Sequence, residues 1–171
     1  MNFQLSTIGL GYNPNKYLLS DGSIIDCNIL DTNGTERYRA LNEYYFRKAD
    51  GCIIVYDITN QRSFDEIKDY YIPKIKDKCK ENITTILLAN KKDKDNERKI
   101  SIEQGNQLAL ENNFIFKETS CSERANVSDA FQTIIEKTNL EKKLRQSFDN
   151  VTIKINKNNH KNSKKGNKNC C

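Results

Sequence analysis

The sequence predicts an α/β fold, with a mainly parallel sheet and helices on both of its faces. Two apolar blocks, 52–57 (CIIVYD) and 84–90 (TTILLAN), are the nearly continuous hydrophobic runs expected of strands buried on both faces. Helical patterns follow both blocks, and strands that alternate with helices at this spacing form parallel sheets. The length of 171 residues suits one domain of this kind.

The first two strands are predicted over 17–30 (YLLSDGSIIDCNIL). Two apolar stretches flank Asp21 and Gly22, and this dipeptide favours a tight two-residue hairpin turn. Apolar and mostly polar residues alternate over 25–30, so one face of the second strand is expected to be buried.

Two helices are predicted in the middle of the chain. The first covers 62–79, where Pro73 is expected to kink or break it. The second covers 101–113 and begins with a capping box formed by Ser101 and Gln104.

The last strand and helix are predicted over 114–120 and 127–145, with Asn126 as the N-cap of the helix. From 147 the sequence becomes rich in Asn, Lys and Ser and too poor in apolar residues to fold. We therefore expect a domain over 1–146 and a flexible basic tail over 147–171.

Charge and composition exclude several classes of protein. The net charge is +5, but 151–171 contain six lysines and no acidic residue, so the domain is close to neutral. Because the tail lacks interleaved aromatic residues, we do not expect nucleic acid binding. No apolar run approaches a membrane span and no signal peptide is evident, so synthesis in the cytosol is expected. The cysteines have no metal-binding spacing, and Cys27, Cys52 and Cys79 are expected to be buried thiols.

Polar residues follow three of the predicted strands, where ligands of open parallel sheets bind. The first such loop is 31–38 (DTNGTERY), in which Asp31 is placed to hold magnesium through water and Gly34 to offer a backbone amide to a phosphate. In the second loop, Asp93 has two acceptor oxygens that match the adjacent N1 and N2 donors of guanine. The third is 119–122 (TSCS); each loop alone is also typical of a surface turn.

Together the three loops resemble the guanine-nucleotide motifs of the Ras superfamily, written DTAGQE, NKxD and ETSAK. The segment ERYRAL…YYFRKADGCIIVYDIT resembles the Rab branch closely, and 6–9 (STIG) looks like the first switch of the family. The resemblance covers roughly residues 3 to 145. The terminal pair Cys170 and Cys171 is similar to a Rab ending, so the chain is identified as a Rab-like small GTPase.

The resemblance implies GTP or GDP and Mg²⁺ as cofactors. It implies that Thr7 and Asp31 bind the magnesium ion, Asp31 through water, and that Asn90 and Asp93 recognise guanine. The residues implied to contact the nucleotide are Thr7, Asp31, Thr32, Asn33, Gly34, Thr35, Asn90, Lys91, Asp93, Ser120, Cys121 and Ser122.

The sequence departs from the family pattern at the phosphate site. The phosphate loop of the family, G-x-x-x-x-G-K-[ST], is absent from the sequence, and only six residues precede Thr7. We therefore expect an N-terminally truncated domain that lacks its first strand, phosphate loop and first helix, and binds nucleotide weakly. Because the missing strand is central in the family sheet, its neighbours are expected to lack ladder partners.

Three single positions also depart from the family. Thr35 stands at the catalytic position where the family has the glutamine that orients the attacking water, so slow hydrolysis is expected. Asn33 stands where the family has alanine, and Ser122 where it has lysine.

The resemblance also implies a membrane-anchored protein of vesicle traffic. Geranylgeranyl groups on Cys170 and Cys171 would give stable anchoring, and the tail lysines would add about 1 kcal/mol each near an anionic leaflet. The implied location is the cytoplasmic face of an intracellular membrane, with a cytosolic pool. The implied partners are Rab effectors, regulators and the prenylation machinery. The alternative is a prenylated pseudo-GTPase, an interaction module that acts without nucleotide.

Overall fold

The computed structural model describes the backbone of residues 11–31 and 39–163, and the side chains of 16–31 and 44–147. In these residues the strands form two separate sheets.

The first sheet is an antiparallel hairpin of β1 (Gly11–Leu18) and β2 (Ile24–Asp31). The prediction of a two-residue turn was wrong. The Leu19 amide donates to the Ser23 carbonyl (2.8 Å) and the Gly22 amide to the Leu19 carbonyl (3.0 Å), so the loop has three residues. Gly22 closes it with a φ of +80°, which glycine adopts without strain.

The second sheet is parallel, with β4 (Thr84–Asn90) between β3 (Gly51–Asp57) and β5 (Ile115–Glu118). The predicted α/β fold is confirmed. Strand β4 is buried on both faces, as predicted. The same prediction was wrong for β3, since Val55 is 51% exposed. Among the described residues β3 pairs with β4 alone, so fewer neighbours cover it.

Helix α1 (Arg39–Lys48) was not predicted from residue patterns. The predicted helix at 62–79 is present as α2 (Gln61–Glu66), a π-helical turn (Ile67–Tyr71) and α3 (Ile72–Lys78). Proline lacks an amide hydrogen and its ring crowds the carbonyl four residues earlier, so the wider π turn before Pro73 relieves that clash.

Helix α4 (Ile102–Glu111) begins with the predicted capping box: the Gln104 amide donates to Ser101 Oγ and the Ser101 amide donates to Gln104 Oε1. Helix α5 covers Val127–Ser163. The prediction that it ends near 145 was wrong, and 147–163, expected to be flexible, are helical. From Val127 to Lys165 the sequence contains no glycine or proline to stop a helix.

Helices cover both faces of the parallel sheet. On one face α2, α3 and α4 pack on β3 and β4 around buried Tyr56, Phe64 and Leu87. On the other face, Leu19 from the hairpin packs with Ile134 of α5. Compact packing divides between Thr138 and Asn139, so the part of α5 from Asn139 onward belongs to a second unit.

Two of the cysteines expected to be buried lie at the edge of the first core. Cys52 and Cys79 are partly buried against it. Burial raises the pKa of Cys52 to about 12 and that of Cys79 to about 11, so both remain protonated at neutral pH. They are therefore poor nucleophiles and poor metal ligands.

Candidate functional site

The candidate site lies where β4 and β5 end at the same edge of the parallel sheet. Asn90 is the last residue of β4, and Lys91 adopts a left-handed conformation (φ +68°) that turns the chain into a 3-10 helix over Lys92–Glu97. The Thr119 amide donates to the Ala89 carbonyl at 2.8 Å, which continues the ladder past β5. Asp93 is thereby brought beside the loop that follows β5.

The Asp93 carboxylate is held by hydroxyl groups from that loop. Ser120 Oγ donates to Asp93 Oδ1 at 2.5 Å and accepts from the Glu123 amide at 3.2 Å. The hydroxyls of Ser120 and Ser122 lie 3.0 Å apart. Hydrogen bonds from Ser120 and Ser122 keep the pKa of Asp93 below its usual value, so this carboxylate is ionised at neutral pH.

The loop over 121–124 is closed at its base. The amides and carbonyls of Ser120 and Ala125 exchange hydrogen bonds of 3.1 and 2.9 Å. Ser120 is fully buried, whereas Cys121 and Ser122 are exposed. The Asn126 side chain donates to the Glu118 carbonyl at 3.1 Å, while the Asn126 backbone carbonyl accepts the Ala130 amide at the start of α5. The loop is thus fixed to both β5 and α5.

Lys91 forms an ion pair with Asp57, a residue that sequence reasoning missed. Lys91 Nζ lies 2.6 Å from Asp57 Oδ2, and Asp57 Oδ1 accepts from the Thr59 amide and hydroxyl, both at 2.8 Å. Burial opposes ionisation of Asp57, but these bonds outweigh it and lower the pKa of the carboxyl. The sequence did offer a signal for Asp57: it is a carboxylate at the carboxyl end of β3, where ligands of parallel sheets bind.

A second cluster that sequence reasoning missed fastens the 3-10 helix to β5. The Arg98 guanidinium contacts Glu118 Oε1 at 2.7 Å and Asp95 Oδ1 at 2.6 Å, and Lys92 Nζ lies 3.7 Å from Glu118 Oε2. The Arg98 and Glu118 side chains are 15% and 11% exposed, so this pair is shielded from solvent. The cluster supports the backbone on which Asp93 sits.

Of the remaining predicted site residues, the structure describes Asp31 alone. Asp31 ends β2 and belongs to the other sheet. Thr7, Thr32, Asn33, Gly34 and Thr35 lie outside the described residues, as do Cys170 and Cys171. Across the part of the chain that the structure describes, no group of three or more His, Cys, Asp or Glu side chains is arranged to hold a metal ion.

The donors and acceptors that are present fit one half of a nucleotide site. An ionised, exposed carboxylate whose position is fixed by two hydroxyls suits a ligand edge with two adjacent N–H donors, as guanine has. The described residues therefore suit the base of a guanine nucleotide, and the phosphate side falls on residues outside the description.

A parallel sheet covered by helices on both faces, with this carboxylate at its carboxyl edge, defines an α/β domain of the small GTPase class. A model of the Ras family matches residues 2–140. The chain belongs to the Ras family, in its Rab-like branch.

Several curated relatives are about 40% identical to the chain. The GTP-binding protein ypt3 of Schizosaccharomyces pombe is 41% identical over 130 residues, which cover 76% of this chain and 60% of that protein. The Ras-related protein Rab-8A of Pongo abelii is 39% identical over 142 residues, or 82% of this chain and 68% of that protein. The Ras-related protein RGP2 of Oryza sativa subsp. japonica is 40% identical over 130 residues, or 76% and 59%.

The chain thus spans about three-fifths of the length of two of these relatives.

Within the described residues, no helix has both the length and the apolar content needed to cross a membrane.

Proposed function

We propose that this chain acts as a guanine-nucleotide-dependent switch in vesicle traffic between membranes. The observation that supports the proposal most strongly is the Asp93 carboxylate, held by Ser120 and Ser122 at the carboxyl edge of the sheet. A fixed carboxylate selects guanine because its two oxygens accept from N1 and N2, whereas adenine offers no such pair. The relative ypt3, whose match covers 76% of this chain, is named a GTP-binding protein.

In this proposal each side of the site has its own residues. Asn90, Asp93 and the loop 120–122 hold the base, and Lys91 packs along the nucleotide. Thr7 and Asp31 bind Mg²⁺, which supplies positive charge that neutralises the phosphates. Residues 32–35 face the terminal phosphate, and its presence or absence changes the surface that effectors and regulators bind.

Nucleotide binding and hydrolysis by a polypeptide of this sequence are proposed to be weak. The sequence contains no G-x-x-x-x-G-K-[ST] motif, so the cradle of amides, the lysine and the hydroxyl that hold phosphates in the family have no counterpart here. Thr35 has a side chain too short to place a water as glutamine does. Base recognition then supplies most of the affinity.

The test is the nucleotide preference of an Asp93→Asn variant. Xanthine has a carbonyl where guanine has its N2 amino group, so an asparagine amide suits xanthine better. We expect the wild-type chain to bind a fluorescent GDP analogue in preference to the xanthosine analogue, and Asp93→Asn to lose more than about tenfold in GDP affinity and reverse the preference. Fluorescence titration with Mg²⁺ measures both affinities.

The matched control is Asp77→Asn, which changes an exposed aspartate on α3 outside the site. It should leave both affinities unchanged. Equal GDP binding by wild type and Asp93→Asn would contradict base recognition by Asp93.

The second candidate is a pseudo-GTPase that presents its switch surface without nucleotide. The observation that favours it is the division of the described strands into two sheets, with Asp31 at the end of β2 in one sheet and Asp93 in the 3-10 helix that follows β4 of the other. Absence of saturable GDP and GTP binding by a chain with a cooperative unfolding transition would support this candidate against the nucleotide switch.

Membrane attachment through Cys170 and Cys171 is also part of the proposal. Two prenyl groups suffice for stable attachment, which a single short acyl chain does not provide. Intact mass after incubation with geranylgeranyl diphosphate and the Rab prenylation machinery should rise by two groups in the wild type. It should stay unchanged in a Cys170→Ser/Cys171→Ser variant, and an unchanged wild-type mass would contradict the proposal.

A further inference from the structure

Helix α5 presents two large apolar side chains to solvent just after compact packing ends. Leu140 is 56% exposed and Leu144 is 45% exposed. They are four residues apart, so they lie on the same face of the helix, one turn from each other. The preceding turns of the helix bury Ala130, Ile134 and Ile135 in the second core. The apolar face of Leu140 and Leu144 begins where that burial stops.

The same spacing continues along the helical backbone. The positions that follow at intervals of four, three and four residues are Phe148, Val151 and Ile155. At 3.6 residues per turn these five positions fall within roughly 80° of the helix circumference and extend for about 22 Å. We name this set, 140, 144, 148, 151 and 155, the apolar stripe.

The chain around the apolar stripe is strongly basic. Residues 139–171 contain nine lysines and arginines but only two acidic residues, Glu141 and Asp149. Since the whole chain has a net charge of +5, this segment at +7 leaves 1–138 slightly acidic. An apolar stripe on a basic helix is typical of segments that lie on membrane surfaces.

Charge also decides between possible occupants of the stripe. A second copy would bring two segments of +7 together, and their repulsion opposes a helix pair. A nucleic acid would match the charge but would leave the apolar stripe in water. An anionic lipid surface matches both, because acyl chains bury the stripe and headgroups neutralise the lysines.

We propose that α5 from Leu140 to Ile155 binds in the plane of an anionic lipid bilayer, with the apolar stripe buried at the level of the headgroups. This contact does not depend on nucleotide or on modification of the terminal cysteines. It gives the chain a membrane affinity of its own and places the helix along the bilayer surface.

The test uses the full chain as Cys170→Ser/Cys171→Ser, without nucleotide, so that failure of this proposal is separate from failure of the switch or of prenylation. Partitioning into phosphatidylserine-containing vesicles is measured by co-sedimentation against vesicles of phosphatidylcholine alone. We expect binding to the anionic vesicles, and a decrease of at least about tenfold when Leu140→Gln and Leu144→Gln are combined. Both leucines are exposed, so the variant should keep the wild-type circular dichroism spectrum.

The matched control is Leu110→Gln, which changes an exposed leucine (77%) on α4 and should leave partitioning unchanged. Equal partitioning of the double leucine variant and its parent would overturn the proposal, because the lysines alone would then account for binding. A third outcome would favour a second copy as the occupant of the apolar stripe. The parent would then self-associate without binding vesicles, and the double leucine variant would not self-associate; this would overturn the membrane proposal.

Discussion

At the scale of single residues, the candidate site depends on carboxylates whose ionised form is stabilised by particular donors. Asp93 is held by hydroxyl groups, and Asp57 by the Lys91 ammonium and by Thr59. The two arrangements have different consequences. The Asp93 carboxylate is exposed and can accept from a ligand, whereas the Asp57 carboxylate is 20% exposed and links the ends of β3 and β4.

Replacement of Asp57 by asparagine should make the contribution of its charge measurable. Asparagine retains an oxygen for the Thr59 donors but removes the ion pair with Lys91. We expect the free energy of unfolding at pH 7 to fall by on the order of 1 kcal/mol, as for other partly exposed ion pairs. Urea unfolding of wild type and variant gives the difference.

The difference should depend on pH with a definite sign. The pKa of Asp57 is lowered in the folded state, below the ordinary value of 3.8. The stabilisation is therefore complete above 3.8 and is lost as the pH falls through the folded pKa. Wild type and Asp57→Asn should converge in stability below pH 3.8. The control Asp69→Asn, at an exposed position, should change the free energy of unfolding at pH 7 by less than about 0.5 kcal/mol. If the difference in unfolding free energy between wild type and Asp57→Asn stayed constant down to pH 3, the charge of Asp57 would not be the cause of that difference.

At the scale of elements, the contact between α4 and the sheet requires a residue without a side chain. A Cβ built on Gly105 would overlap the Tyr56 hydroxyl and would lie 2.5 Å from Phe116 Cε2. The helix thus gives up about 1 kcal/mol of propensity at this position in order to approach β3 and β5 closely.

Replacement of Gly105 by alanine should destabilise the protein although alanine favours helices. Overpacking costs up to about 3 kcal/mol and the propensity gain is about 1 kcal/mol, so we expect a net loss of up to about 2 kcal/mol. Urea denaturation measures the change. The neighbouring exposed position supplies the control: Asn106→Ala should be neutral or stabilising. A more stable Gly105→Ala protein would mean that the helix shifts without cost.

At the scale of the whole molecule, the hairpin joins the second core through Leu19 beside its turn and through side chains of both strands. Leu19 is 6% exposed and packs in the core that contains Ile134. The Gln132 side chain donates to the Leu18 carbonyl at 2.9 Å, and the Ser20 amide donates to Glu136 Oε1 at 3.0 Å. These contacts connect the antiparallel sheet to α5.

Truncation of Leu19 to alanine should therefore cost about 2 to 4 kcal/mol of unfolding free energy, as for other buried leucines. Leu18→Ala is the matched control, since Leu18 is 65% exposed and should cost less than about 0.5 kcal/mol. Chemical denaturation followed by circular dichroism distinguishes them. A loss for Leu19→Ala as small as that expected for Leu18→Ala would show that packing of Leu19 does not hold the hairpin.

The sequence predicted the elements whose signals are local. The runs that became β3 and β4, the capping box at Ser101 and Gln104, and the buried face of the first turns of α5 follow from hydrophobic periodicity and from hydrogen bonds between residues close in sequence. An irregularity of the helix near Pro73 was also predictable, because a proline removes a helical hydrogen bond wherever the helix packs; it is present as the π turn over Ile67–Tyr71.

Other features depend on contacts that local patterns do not predict, most of them with residues far away in the sequence. The exposure of Val55 depends on which elements cover β3, and the three-residue hairpin loop depends on the pairing of Leu19 with Ser23 across it. In the site, the motifs identified Asp93 and Ser120 as candidates. Their contact at 2.5 Å, and the partnership of Lys91 with Asp57, required the strand order.

The sequence by itself determined the class of fold, the Rab-like family and the identity of the candidate base-recognising residues, because these follow from motifs in a fixed order along the chain. Only the tertiary structure decided that the described strands form two sheets, and that Arg98 and Glu118 support the candidate site. The physical reason is that backbone pairing and ion pairs join residues far apart in sequence, and their geometry depends on all the elements packed around them.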